Sequence, residues 1–84
     1  MNVYESHSTA LMTIISDVLG ENASRSFVGK MYSLLEEDHK DFAALKETCL
    51  KIEKLVSLFH GPDKAKLIHE RFMDSFSKAG FLQG

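Results

Sequence analysis

Asp41-Phe42-Ala43-Ala44-Leu45-Lys46-Glu47-Thr48-Cys49-Leu50-Lys51-Ile52-Glu53-Lys54-Leu55-Val56-Ser57-Leu58-Phe59-His60-Gly61 decides the fold. Within it Phe42, Leu45, Cys49, Ile52, Val56 and Phe59 recur at alternating intervals of three and four, the seam of an amphipathic helix. Thr48 and Leu55 widen that seam on one side. Ala43, Leu50 and Leu58 form a second apolar strip, separated from the first by Lys46, Glu53 and Ser57. Two apolar strips predict a helix covered on two sides, with the other elements wrapped around it.

Three further helices flank this one. Tyr4, Leu11, Ile15 and Val18, with Ile14 and Leu19 beside them, share a stripe that ends at Gly20, a residue suited to a left-handed C′ position. Asn2 with Glu5 makes a capping-box pattern, and Ser6 or Ser8 offers an alternative cap. Phe27, Val28, Met31, Tyr32, Leu34 and Leu35 form the second apolar stripe, with Asn22 or Ser24 as its cap. Gly29 inside it should cost about 1 kcal/mol against alanine, and close approach by a neighbouring helix is the expected compensation. A charged run, Glu36-Glu37-Asp38-His39-Lys40, then links to the central helix, which Asp38 or Asp41 caps.

Gly61 closes the central helix, and Pro62 suits the first position of a new one, with Asp63 complementing its dipole. Ala65, Ile68, Phe72, Phe76 and Ala79 line one face of that last helix, with Leu67 and Met73 adjacent. Gly80 followed by Phe81 predicts a Schellman stop in which Phe81 folds back on Phe76. No segment alternates with period two, and no internal repeat is present. The prediction is an all-α single domain over 1–84, a compact four-helix bundle or orthogonal helical domain. Its helices fall near 3–19, 23–36, 41–60 and 62–79, the last two forming an antiparallel hairpin.

Composition narrows the function. The chain has 84 residues, 44% hydrophobic, with a net charge of −2 and signs well mixed. That balance argues against nonspecific binding to nucleic acid or to anionic membranes, although a local basic face is compatible with it. No apolar run approaches the roughly 18 residues of a membrane span. The single cysteine excludes an internal disulfide, and a cytoplasmic location is expected.

Chemistry-bearing residues are few. Glu36 and His39 have a Glu-x-x-His spacing, but a di-iron bundle needs two such motifs and more inward carboxylates; a solvated acidic linker is expected. Cys49 sits in the seam, where a thiol is a small hydrophobe. His7 and His60 are expected to be structural or surface residues. Neither a catalytic group nor a metal or cofactor site is assigned, and the chain is not expected to be an enzyme.

His69-Glu70-Arg71-Phe72 resembles the phospho-accepting string of sensor histidine kinases, which implies phosphotransfer on His69. It departs from that family's pattern in placing Arg71 two residues after the histidine, with no proline following, and the lysine–glycine pair of phosphotransfer bundles is missing. The helix–Gly61-Pro62–helix unit, with Lys64, Lys66, Arg71 and Lys78 on the second helix, makes a DNA-binding regulator the other alternative. The leading expectation is a regulatory or adaptor module that acts through protein contacts, as a homodimer. Tyr32, Leu50, Leu58 and Met73, apolar and at the margins of their faces, are the expected interface.

Overall fold

In the computed structural model, which describes residues 3–37 and 39–81 and the side chains of these except 3–6 and 22, the protein is all-α. Four helices, α1 (Val3–Leu19), α2 (Arg25–Glu36), α3 (Phe42–His60) and α4 (Pro62–Lys78), follow one another with short connections. A single 3-10 turn, Gly20–Asn22, follows α1. The expected caps at Asn2 and Asp38, and the expected place of Tyr4 in the α1 stripe, lie outside the described residues or side chains.

Local chemistry sets the boundaries. The Ser24 side chain accepts a bond from the Phe27 N–H at 3.1 Å, so α2 starts there and Ser24, not Asn22, is its cap. Asp41 does the same for α3 through Ala44 N–H at 2.9 Å. Gly61 has φ +94°, a value that L side chains rarely adopt, and it turns the chain from α3 directly into Pro62 at the start of α4. At the far end Phe81 N–H donates to Phe76 O at 2.9 Å and Gly80 N–H to Ser77 O at 3.1 Å. Those are the two bonds of a Schellman motif, as the Gly80-Phe81 pair predicts.

Contacts along the chain fix the topology. Phe42 meets Phe76 at 5.1 Å between ring centroids, and Glu53 meets His69 nearer the turn, so α3 and α4 form an antiparallel hairpin along their whole length. Ser8 Oγ donates to Leu35 O at 2.9 Å and Tyr32 reaches Met12 O, which makes α1 and α2 antiparallel. Phe27 stacks edge-on against Phe59 and His60, so α2 and α3 also run in opposite senses. Lys64 Nζ on Val18 O and Arg71 beside Asp17 close the ring between α4 and α1. The helices therefore run alternately up and down, α1 and α3 meet across the middle, and α2 and α4 do not touch.

One core joins all four helices: Leu11, Ile15, Val18 and Leu19 of α1, Met31 and Leu35 of α2, Leu45, Cys49, Ile52 and Val56 of α3, Ile68, Phe72 and Phe76 of α4. α3 is the central helix, in contact with the three others, and α1 is the second helix that reaches them all. Three expectations need correction. The second strip of α3 is uncovered: Ala43 is exposed, Leu50 is 52% and Leu58 70% exposed. Phe59 belongs to the seam by spacing but stands 67% exposed, because the last turn of α3 outruns the core and finds only Phe27 and its neighbours. Gly29 has no close neighbour; a Cβ built on it would meet nothing within 4 Å, so no helix approaches there.

Candidate interaction surface

The outer surface of α3 follows from its inner one. At about 100° per residue, Leu45, Ile52 and Val56 point to the bundle axis, while Ala43, Leu50 and Leu58 fall on the far side. Thr48 and Leu55 lie toward α2, and Glu53 toward α4, where its carboxylate meets His69 Nδ1 at 2.7 Å. The seam therefore uses one side of the helix for three neighbours, and none is left to cover the other. Among the described residues the large exposed apolar side chains are Leu50, Leu58, Phe59 and Leu67, three of them on α3.

Lysines surround the two leucines. Lys46, Lys51 and Lys54 are exposed, and Lys54 stands midway between Leu50 and Leu58 on the same strip. Glu47 is the exposed acid interleaved with them, while Glu53, on the border toward α4, is bonded to His69. Among the described residues none of the three lysines has a carboxylate within ion-pair distance, whereas Arg71 and Lys78 on α4 are paired with Asp17 and Asp74. These lysines are absent from the residues that sequence reasoning selected. Their signal lay in the alternation with Leu50 and Leu58, but of the three only Lys46 enters the sequence reading, as a separator of the two strips.

Of the four residues expected at the interface, Leu50 and Leu58 share this outer face. Met73 lies four residues beyond His69 as Leu50 lies three before Glu53, which puts both at one level of the hairpin, but Met73 is half-buried against the core. Tyr32 is elsewhere. Its ring packs on the core, and its hydroxyl bonds Ser16 Oγ and reaches Met12 O, at the α1–α2 seam.

The histidines all have structural partners. His39 corrects the expectation of a solvated linker: it is 3% exposed, with Nε2 3.1 Å from Thr48 Oγ1, and so anchors the α2–α3 connection onto α3. His7 Nε2 bonds Ser75 Oγ at 2.9 Å, its ring packs on Phe76 and Phe81, and burial pushes its pKa below the usual value. His60 lies edge-on to Phe27. His69 is half-exposed and tied to Glu53, whose own carboxyl is pushed up by burial and only partly drawn back by the histidine. That bond makes the His69 ring a crosslink between α3 and α4.

Among the described residues no other arrangement converges on chemistry. Burial, and secondarily Glu53, pushes the Cys49 thiol up to about 12, so it carries no thiolate at neutral pH. Clefts of about 300, 370 and 330 Å3 lie along α1, and the largest is lined by Val28, Gly29, Tyr32 and other residues without a carboxylate or histidine. Among the described residues there is no group of three or more His, Cys, Asp or Glu placed to hold a metal ion, and no helix long and apolar enough to cross a membrane. Comparison with known protein families, with curated proteins and with solved structures finds no match to this chain.

Proposed function

We propose that this chain is a non-enzymatic helical module of the regulatory or adaptor type, which works through protein contacts made by the outer face of α3. The observation that carries this reading is the exposure of Leu50 and Leu58 on a helix whose opposite side is fully committed to the core. Burying a leucine is worth about 1.5–3 kcal/mol, so a partner that covers both gains a useful part of its binding energy there. Exposed leucines on one strip, rimmed by charge, are the composition of an interaction patch.

A helix-turn-helix reading finds less support. The α3–α4 unit is an antiparallel hairpin held by Phe42–Phe76 and Glu53–His69, without the roughly 90–120° crossing on which that motif depends. Phosphotransfer on His69 would have to break its 2.7 Å bond to Glu53 or leave Nδ1 engaged. A symmetric homodimer, in which α3 covers α3, meets an electrostatic cost. Both pairings that match leucine with leucine, parallel in register or antiparallel about the midpoint, set Lys54 against Lys54 of the second copy.

Affinity capture from the native host tests the reading, using the wild type and a Leu50→Ser/Leu58→Ser variant side by side. Both positions lie outside the core, so the variant keeps its fold by circular dichroism. Proteins recovered by the wild type and lost by the variant support a docking face. Identical recoveries from the two would refute it, and sedimentation of the wild type at high micromolar concentration reports any self-association.

A further inference from the structure

We infer that the outer face of α3 is the dock for an acidic amphipathic helix of another protein, an inference that rests on the interaction role proposed above and specifies its partner. The charge on the strip is the reason. Three exposed lysines against one exposed glutamate give this face a local charge of +2 (Lys46, Lys51, Lys54, less Glu47) in a chain whose total is −2, the bordering Glu53 being turned to α4 and bonded to His69. The positive charge is also unspent, since among the described residues no carboxylate lies within ion-pair distance of these lysines. Leu50 and Leu58 supply the apolar anchors, and lysine stems can lie along a partner's apolar flank with the ammonium groups at the rim.

The geometry selects a helix. Leu50, Lys54 and Leu58 follow one another at intervals of four, an i, i+4 ridge that runs obliquely along the outer side of α3. A second helix laid along it meets Leu50 and Leu58 with apolar residues at the same spacing and presents a carboxylate to Lys54 between them. A second copy of this chain brings a lysine to that position. An anionic bilayer shares the chemistry of the strip, but it is a plane. It would cover more of the surface of a chain whose total charge is −2, whereas one helix meets only the strip.

Titration of the full chain with two synthetic helical peptides tests this. Both carry leucines at the spacing of Leu50 and Leu58; one has glutamates at the intervening and rim positions, the other lysines. The glutamate peptide should bind at least about tenfold more tightly, weaken with added salt, and shift backbone amide resonances along α3 around Leu50, Lys54 and Leu58. Lys54→Glu should reverse the order of the two peptides, and Leu58→Ser should weaken both. Equal binding of the two peptides, lost in Leu58→Ser, leaves the docking face standing and overturns the acidic partner. Self-association that Leu58→Ser abolishes, with neither peptide bound, assigns the face to a second copy and overturns it. So does binding to phosphatidylserine vesicles that depends on Lys54 while the glutamate peptide fails to bind. No binding in any arm removes both the acidic helix and the docking role.

Discussion

Replacing Gly29 by alanine should stabilise this protein. The residue lies in the middle of α2 with helical backbone and no positive φ, and a Cβ there would meet nothing within 4 Å. No steric cost therefore offsets the gain in helix propensity, which is about 0.8–1 kcal/mol for glycine to alanine. Part of that gain comes from the unfolded chain, which loses conformational freedom with the substitution. In a domain of this size about 1 kcal/mol corresponds to a rise in Tm of roughly 4–8 °C. Urea titration followed by circular dichroism measures it, with an unchanged slope expected since the buried surface does not change. Gly61→Ala is the control of opposite sign, because φ +94° at that position strains any L side chain whatever the space around it. A neutral or destabilising Gly29→Ala, with Gly61→Ala behaving as expected, would show that something does approach α2 at that point.

Ile52→Ala, at a fully buried position of the α3 seam, should cost on the order of 2–5 kcal/mol; a loss under about 1 kcal/mol in the same titration would mean the seam is not the core. Leu58→Glu should leave stability within about 0.5 kcal/mol of wild type with helical circular dichroism retained, and an unfolded variant would place Leu58 inside the bundle after all. The Cys49 thiol, buried and pushed up to about 12, should resist thiol reagents in the native state and react at once in denaturant, so rapid native labelling would contradict its burial. Burial holds the His7 pKa below its usual 6.5, so His7 contributes stability that is present above 6.5 and lost as pH falls through the lowered folded value. Glu53 is shifted up and acts in the opposite sense, stabilising when protonated and losing that contribution as pH rises through its raised folded value. His7→Gln should therefore flatten the decline in stability below pH 6.5, and an unaltered pH profile would remove His7 from the acid response.

Periodicity and punctuation carried most of the fold. Hydrophobic spacing at three and four located every helix, Gly61-Pro62 marked the turn from α3 into α4, and Gly80-Phe81 marked a stop in which Phe81 bonds back to Phe76 as predicted. Spacing along one helix does not say how many neighbours each side has, and that is where expectation and structure part. Phe59 keeps the phase of the seam but lies one turn beyond the core. Leu50 and Leu58 have a phase of their own and stay exposed. His39 shows the converse, because an acidic run looks solvated in sequence while the Thr48 hydroxyl, nine residues on, draws the imidazole inward. The Glu53–His69 bond joins two helices across a turn, a pairing that no local pattern encodes.

The two strips of α3 do separate work, and their chemistry differs accordingly. The inner strip, Leu45, Cys49, Ile52 and Val56, contains no charged side chain and is closed to water; substitutions there act on stability alone. The outer strip interleaves leucine with lysine, a pattern that lowers the cost of leaving Leu50 and Leu58 in solvent by keeping the apolar patch narrow. It also imposes a condition on whatever covers them, since apolar area alone would accept any greasy surface, whereas Lys54 between the leucines rejects one that brings no negative charge. Because the strips lie on opposite sides of one helix with no residue in common, a substitution on the outer one should leave the fold unchanged, and under the proposed docking role it should alter association. A protein this small has little stability to spare, and under the proposed docking role that separation would let the outer face vary while the core does not.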